Sequence, residues 1–235
     1  MSALSGDAAL RFPGETPFSY ACNRCRNCCH DKLIQVNPYE AARLAHNLAL
    51  STTAFIREHL ENSVYLRRRA DGSCGFLGPQ GCTVHQDRPL VCRLYPLGRH
   101  VGASGEVRFS HLEPHPETKG IYGRAGTVTD YLAQQDVAAF VAAADRYLAV
   151  LQELYDAWRR APASLDTDSP QSGSDRDPAP EFLDLDRAVA DYCAGRGLVE
   201  PTEIEERVGL HLEAITRWLE RQPGVPKARP PQLQG

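Results

Sequence analysis

The stretch Cys22-Asn23-Arg24-Cys25-Arg26-Asn27-Cys28-Cys29 decides how the rest of this chain of 235 residues is organised. Its first three cysteines recur every third residue, and a tight turn can bring sulfurs at that spacing to one side of the backbone. Of the eight cysteines in the chain, only Cys193 lies outside the region from Cys22 to Cys92. The pattern predicts a metal or iron–sulfur site whose candidate ligands are Cys22, Cys25, Cys28, Cys29, Cys74, Cys82 and Cys92.

Composition and charge restrict the class of protein. The hydrophobic fraction of 42% is ordinary for a folded domain. A net charge of −4 gives no overall attraction to nucleic acid or to an anionic membrane. No stretch approaches the roughly 18 consecutive apolar residues that a membrane span requires. We therefore expect neither a nucleic-acid nor a membrane partner.

The cellular compartment decides whether the thiols stay reduced or form disulfides. The N-terminus lacks a basic start followed by an apolar run, so no signal peptide is predicted and we expect a cytoplasmic protein. Thiols in that reducing compartment stay free to bind metal, which disfavours disulfides and leaves buried free thiols as the other alternative. Adjacent side chains point apart on most backbones. Cys28 and Cys29 are therefore expected to divide roles, one of them serving as a second-site ligand, a reactive thiol or a packed core residue.

Periodicity predicts an α+β fold that is mainly helical with a few short strands. Asn37 is a predicted N-cap, with Pro38 at the first helical position and Glu40 in the first turn. Ser51 is expected to begin a second short helix. A long helical pattern covers residues 129–160 and is predicted to break near Asp136. The strand candidates are residues 33–36, 64–67 and 106–110.

We predict a small irregular domain around the cysteine-ligated centre, followed by a C-terminal helical hairpin. The hairpin is too short to be securely stable alone, so we expect it to dock on the main domain or on a protein partner. Cys193 falls within it and is interpreted as a structural thiol. The predicted segments are a flexible arm (1–18), the cysteine-cluster domain with its following helices (19–160), a disordered linker (161–181), the hairpin (182–222) and a Pro-rich tail (223–235).

The cysteine region resembles the YkgJ-type cysteine-cluster family, described as zinc- or iron-chelating domains. The same domain occurs in flagellin lysine N-methylases, for which the resemblance implies an iron–sulfur cluster and methyl transfer from S-adenosylmethionine. This chain looks shorter than those enzymes and shows no glycine-rich S-adenosylmethionine loop, so methyl transfer is not carried over. The matching residues are Cys22-x2-Cys25-x2-Cys28-Cys29, Cys74-x-Phe76-Leu77, Gly81-Cys82 and Arg88-Pro89-x2-Cys92-Arg93-x-Tyr95-Pro96.

The chain departs from that family at two positions. His85 stands where many relatives carry Tyr, and it is either an extra ligand or a substitute ring. His115 lies near a point where relatives often carry a further cysteine, and it either replaces that thiolate or leaves the ligand absent. The number of ligands therefore stays open.

The spacing favours a [4Fe–4S] cluster over zinc. A C-x2-C-x2-C run with a distant cysteine is typical of cluster ligation, whereas zinc usually takes paired C-x2-4-C knuckles. Three functions remain open: an enzyme acting on a protein or small substrate, a zinc-folded protein-interaction module, and a metal storage or delivery protein. Arg93 and Tyr95 are the nearest polar side chains that could orient a substrate. Their alternative role is packing and hydrogen bonding around the cluster loops.

Overall fold

The computed structural model describes residues 11–23, 25–102, 104–160 and 184–220. Two short 3-10 turns, Asn27–Cys29 and His85–Asp87, accompany the longer elements. The strands are β1 (Pro17–Ala21), β2 (Leu60–Glu61), β3 (Tyr65–Leu66), β4 (Leu77–Gly78), β5 (Gly81–Cys82), β6 (Leu97–Val101), β7 (Val107–His111) and β8 (Ile121–Thr127). The α-helices are α1 (Pro38–Asn47), α2 (Thr52–His59), α3 (Leu90–Leu94), α4 (Val128–Gln134), α5 (Ala138–Arg160), α6 (Leu185–Ala194) and α7 (Ile204–Glu220).

The mixed α+β prediction is confirmed. The described chain divides into two compact units. The first joins the residues up to Val36 with Tyr65–Val141, and the second joins Asn37–Val64 with the residues from Ala142 onward. No helix in the described ranges is long and apolar enough to cross a membrane. The predicted linker (161–181) and tail (223–235) lie outside the described residues, as do residues 1–10 of the predicted arm.

Two antiparallel strand pairs form the frame of the first unit. β1 pairs with β8, placing Tyr20 opposite Tyr122, and β6 pairs with β7 along their full lengths. A hydrophobic core lies among β1, β6, β7 and α4, since apolar side chains from each of them are removed from water together. Its buried members are Phe18, Leu97, Phe109, Val128 and Tyr131.

Residues 12–18, which fall within the predicted arm (1–18), belong to this frame. Phe12 exchanges two backbone hydrogen bonds of 2.8 Å with Phe109, and Phe18 is 2% exposed. The polar, Pro-containing composition suggested a loose segment. Two phenylalanines nevertheless provide enough burial, together with the pairing of β1, to hold residues 12–18 on the unit.

The predicted break near Asp136 is confirmed. α4 ends at Gln134, Asp136 adopts a left-handed backbone with φ of 51°, and α5 begins at Ala138. The strand predictions at 64–67 and 106–110 correspond to β3 and β7. Residues 33–36, by contrast, form no strand and contribute one isolated bridge, from Gln35 to Tyr65. The chain turns into the N-cap of α1 at Asn37, which leaves no length for a ladder.

Helices make up most of the second unit, and their N-termini follow the sequence signals. The Asn37 side chain accepts a hydrogen bond from the Glu40 amide (3.0 Å), and Glu40 accepts one from the Asn37 amide (2.9 Å). Ser51 caps α2 through the Ala54 amide. Within this unit α6 and α7 pack on each other and on α1 and α2.

A buried carboxylate joins the N-termini of α2 and α6. Asp184 is 5% exposed and accepts hydrogen bonds from the hydroxyls of Thr52 (2.6 Å) and Thr53 (2.5 Å), and it also caps α6 through the Arg187 amide (3.2 Å). Asp186 accepts a bond from the Thr52 amide (2.8 Å). The two helix starts therefore satisfy each other's polar groups.

Asp184→Ala is expected to destabilise the protein by about 2–3 kcal/mol, because it removes a helix cap and leaves the buried Thr52 hydroxyl without its acceptor. Urea denaturation followed by circular dichroism measures this loss. Asp191→Ala on the same helix is the control, since its side chain is 78% exposed, and it should change stability by less than about 0.5 kcal/mol. Equal stabilities of the two variants would contradict the capping role.

Candidate metal centre

The first cysteine run folds into a turn that brings two sulfurs together. Arg26 adopts a left-handed backbone with φ of 69° and starts the 3-10 turn that holds both Cys28 and Cys29. Their Sγ atoms lie 4.0 Å apart. The expectation that the adjacent side chains diverge is therefore wrong. Two thiolates on one tetrahedral zinc ion stand about 3.8 Å apart, given a metal–sulfur bond of about 2.3 Å, so this pair nearly has that spacing.

A small hairpin brings the next two cysteines to this turn. The Cys74 amide donates a hydrogen bond to the Cys29 carbonyl (2.9 Å), and Cys82 lies opposite Leu77 in the pairing of β4 with β5. The Arg69 guanidinium donates to the carbonyls of Gly75 (3.0 Å) and Leu77 (2.7 Å) and braces the loop. The hairpin thus places two more thiols beside the first run.

Cys92 is carried by α3, and its neighbour Arg93 fixes that helix. The Arg93 side chain is buried and donates to the carbonyls of Arg88 (3.0 Å), Gln86, Gln135 (2.8 Å) and Asp136 (3.3 Å). The last two carbonyls belong to the end of α4, where a cation is favourable. The guanidinium carbon also lies 3.9 Å from the centre of the Phe140 ring. These contacts support the alternative interpretation of Arg93, in which the side chain packs and hydrogen-bonds around the cluster loops.

The inner thiols interact electrostatically as one group. A proton shared with Cys29 lowers the pKa of Cys28 to about 7, whereas the same interaction, burial and the charges of Cys28, Cys92 and Cys74 raise the pKa of Cys29. Burial raises the pKa of Cys74, and burial and the charges of Cys74 and Cys28 raise that of Cys82. Five thiols from three separate stretches of sequence therefore share one neighbourhood, and we call Cys28, Cys29, Cys74, Cys82 and Cys92 the inner group.

The other two candidate ligands lie towards solvent. Cys22 is exposed and Cys25 is partly exposed. The Lys119 amide lies 3.5 Å from the Cys25 sulfur, and this hydrogen bond lowers the pKa of the Cys25 thiol. Cys193 is 1% exposed on α6 in the second unit, as expected of a structural thiol.

A group of tyrosines borders the cysteines, and the sequence analysis singled out only one of them. The Tyr20 ring makes edge contacts with Tyr122 (5.0 Å between ring centres) and Tyr95 (6.0 Å), and the Tyr131 hydroxyl donates to the Tyr95 carbonyl. Burial is the main cause that raises the pKa values of Tyr20 and Tyr131, and it also raises the pKa of Tyr122, to about 12. The charge of Cys28 adds a smaller upward shift to all three. These phenols therefore stay neutral beside the thiols. Only the register of β1 with β8 reveals the group, because it places Tyr20 opposite Tyr122.

Neither His85 nor His115, the two departures from the family pattern, is shown to be a metal ligand. The His115 Nδ1 atom accepts a hydrogen bond from the Glu117 amide (3.1 Å), and the His85 carbonyl accepts one from Arg88 (2.7 Å). In the part of the chain that the structure describes, no three His, Cys, Asp or Glu side chains are already positioned to hold one metal ion together. The donor chemistry still fits a thiophilic metal, since five thiols gather and one pair nearly has the spacing of shared ligands.

The fold and these thiols define a small α+β cysteine-cluster protein. Residues 21–113 match a family model named CxxCxxCC and described as a "putative zinc- or iron-chelating domain". The match covers about two fifths of the chain, and over those residues it confirms the predicted resemblance to this family of cysteine domains. No curated protein and no solved structure matches the chain.

Proposed function

We propose that this protein binds iron as a thiolate-held iron–sulfur cluster of the [4Fe–4S] type. In this proposal the four cysteine ligands of the cluster are drawn from the seven thiols, with the inner group on the buried side and Cys22 and Cys25 on the side that faces solvent. The family description supports metal chelation through cysteines, with zinc as the alternative metal.

One observation carries the proposal: the inner thiols come from distant stretches and yet interact in one place. Cys29 interacts with Cys28 in its own turn, with Cys74 in the β4–β5 hairpin and with Cys92 on α3. Gathering several thiols in a partly buried site raises the free energy of their charged forms. Binding a cation relieves that repulsion, which gives the arrangement a chemical purpose.

The choice of a cluster over zinc rests on the donors. A zinc ion and a [4Fe–4S] cluster each take four protein ligands, so the seven thiols in and beside this site exceed the need of either centre. The C-x2-C-x2-C spacing is typical of clusters, and N–H···S hydrogen bonds such as that from Lys119 to Cys25 tune cluster sulfurs. Spacing and amide donation together favour iron.

Metal analysis of protein purified without oxygen tests this proposal. About four iron atoms per chain, with an absorption shoulder near about 400 nm that bleaches on reduction, is the expected result. About one zinc per chain in a colourless protein would replace the cluster with a structural zinc site. Metal-free protein that also fails to take up iron and sulfide during anaerobic reconstitution would contradict metal binding altogether.

The Arg93 guanidinium is directed to backbone carbonyls, which leaves it a positioning role at α3. A protein partner for the C-terminal helices stays a prediction of the sequence, and so does a cytoplasmic location.

A further inference from the structure

The segment 117–119 is fastened to the cysteine run by two asparagine side chains. Asn23 Nδ2 donates to the Lys119 carbonyl (2.8 Å), and Asn27 Nδ2 donates to the Glu117 carbonyl (2.7 Å). Both asparagines lie between cysteines of the first run. The segment lies beyond residue 113, where the match to the family ends.

These two bonds aim a backbone donor at a sulfur. With its flanking carbonyls held, the Lys119 amide lies 3.5 Å from Cys25 Sγ. The turn is also braced internally, because the Thr118 amide donates to the His115 carbonyl (2.8 Å) and the Gly120 amide to the Thr118 hydroxyl (3.2 Å). The segment can therefore hold the Lys119 amide in place independently of the lysine side chain.

An N–H donor held in this way stabilises a thiolate more than it stabilises a thiol. A neutral thiol is a weak acceptor, whereas hydrogen bonds to charged acceptors are roughly twice as strong as neutral ones. A metal ligand is a thiolate, and the groups that hydrogen-bond to ligands fix their orientation and tune the metal. Three polar contacts converge on the exposed end of the cysteine run, at the sulfur that faces solvent.

We propose that segment 117–119, held by Asn23 and Asn27, is a positioning element that keeps Cys25 on the metal and slows release of the metal to solvent. This inference rests on the proposed metal binding and adds residues outside the cysteine motif to the site. Asn23 and Asn27 act through the segment, and the segment acts through the Lys119 amide.

The test uses the full chain, stripped of metal and reloaded with Co²⁺, whose sulfur-to-metal charge-transfer band reports on the thiolates. Asn23→Ala/Asn27→Ala and Lys119→Pro are each expected to release Co²⁺ to EDTA roughly tenfold faster than the wild type, the usual size of an effect on groups around the ligands. Both should also shift the charge-transfer band to lower energy, because a thiolate that loses a hydrogen bond is a stronger donor.

Lys119→Ala is the matched control, since it removes the side chain and keeps the amide that Pro lacks. Its release rate and spectrum should equal those of the wild type. Should Lys119→Pro or the double variant fail to fold by circular dichroism, the single variant Asn27→Leu removes one donor and keeps the branched shape of the side chain, and its spectral shift decides the question.

The outcomes distinguish failure of this positioning role from failure of the proposed metal binding. Wild-type protein that binds Co²⁺ with thiolate bands, together with unshifted bands in the variants, would overturn the positioning role and leave metal binding intact. Wild-type protein that binds neither Co²⁺ nor iron would overturn both. Faster release in Lys119→Ala equal to that in Lys119→Pro would assign the effect to the side chain and also overturn the inference.

Discussion

Cys29→Ala is expected to reduce the metal content of the purified protein to less than about a tenth of the wild-type value, because it removes a proposed ligand from the centre of the site. The Cys29 sulfur lies 4.0 Å from Cys28 and interacts with the charges of Cys92 and Cys74. Alanine keeps the Cys29 carbonyl that accepts the Cys74 amide, so the hairpin contact survives. Elemental analysis after anaerobic purification gives the measurement, with protein concentration determined by amino-acid analysis.

Cys193→Ala is the matched control for this variant. It also deletes a thiol, but from the second unit, where Cys193 is buried on α6. The control should keep the wild-type metal content and lose only the modest stability of a trimmed core side chain, about 1 kcal/mol. Full metal in Cys29→Ala, or equal losses in the two variants, would remove Cys29 from the ligand set.

Arg93→Lys is expected to destabilise the protein by about 3 kcal/mol or more. Lysine carries the same charge, but its single ammonium group cannot replace a planar fork that reaches four carbonyls. The Arg93 contacts join α3 to the end of α4, so their loss leaves four carbonyls without this donor and a buried cation poorly solvated. Because α3 also carries Cys92, metal content should fall as stability falls.

Urea denaturation of the apo and metal-loaded forms measures the Arg93 effect. Arg187→Lys is the conservative control at a side chain that is 60% exposed, and it should shift stability by less than about 0.5 kcal/mol. An Arg93→Lys protein with wild-type stability and reduced substrate turnover, once a substrate is known, would instead return Arg93 to the list of functional side chains.

Local signals in the sequence predicted much of the helical structure. The Asn37 cap with Pro38 and Glu40, the Ser51 start and the break near Asp136 all depend on residues within one or two turns of each other. Such signals act over short distances and can be read from a pattern. The placement of Phe12 could not be predicted in this way, since its partner is Phe109, about a hundred residues away.

The candidate site divides in the same way. The sequence by itself determined the kind of ligand, because the seven clustered thiols and their spacing are visible in the order of residues. The matched family supports metal chelation by such thiols. Only the tertiary structure decided which groups meet: the approach of Cys28 to Cys29, the four carbonyls around Arg93, the tyrosines beside the thiols and the amide of Lys119 at Cys25. These contacts depend on backbone dihedral angles and strand register. A pattern of residue types does not encode either of them directly, whereas packing of the whole chain fixes both.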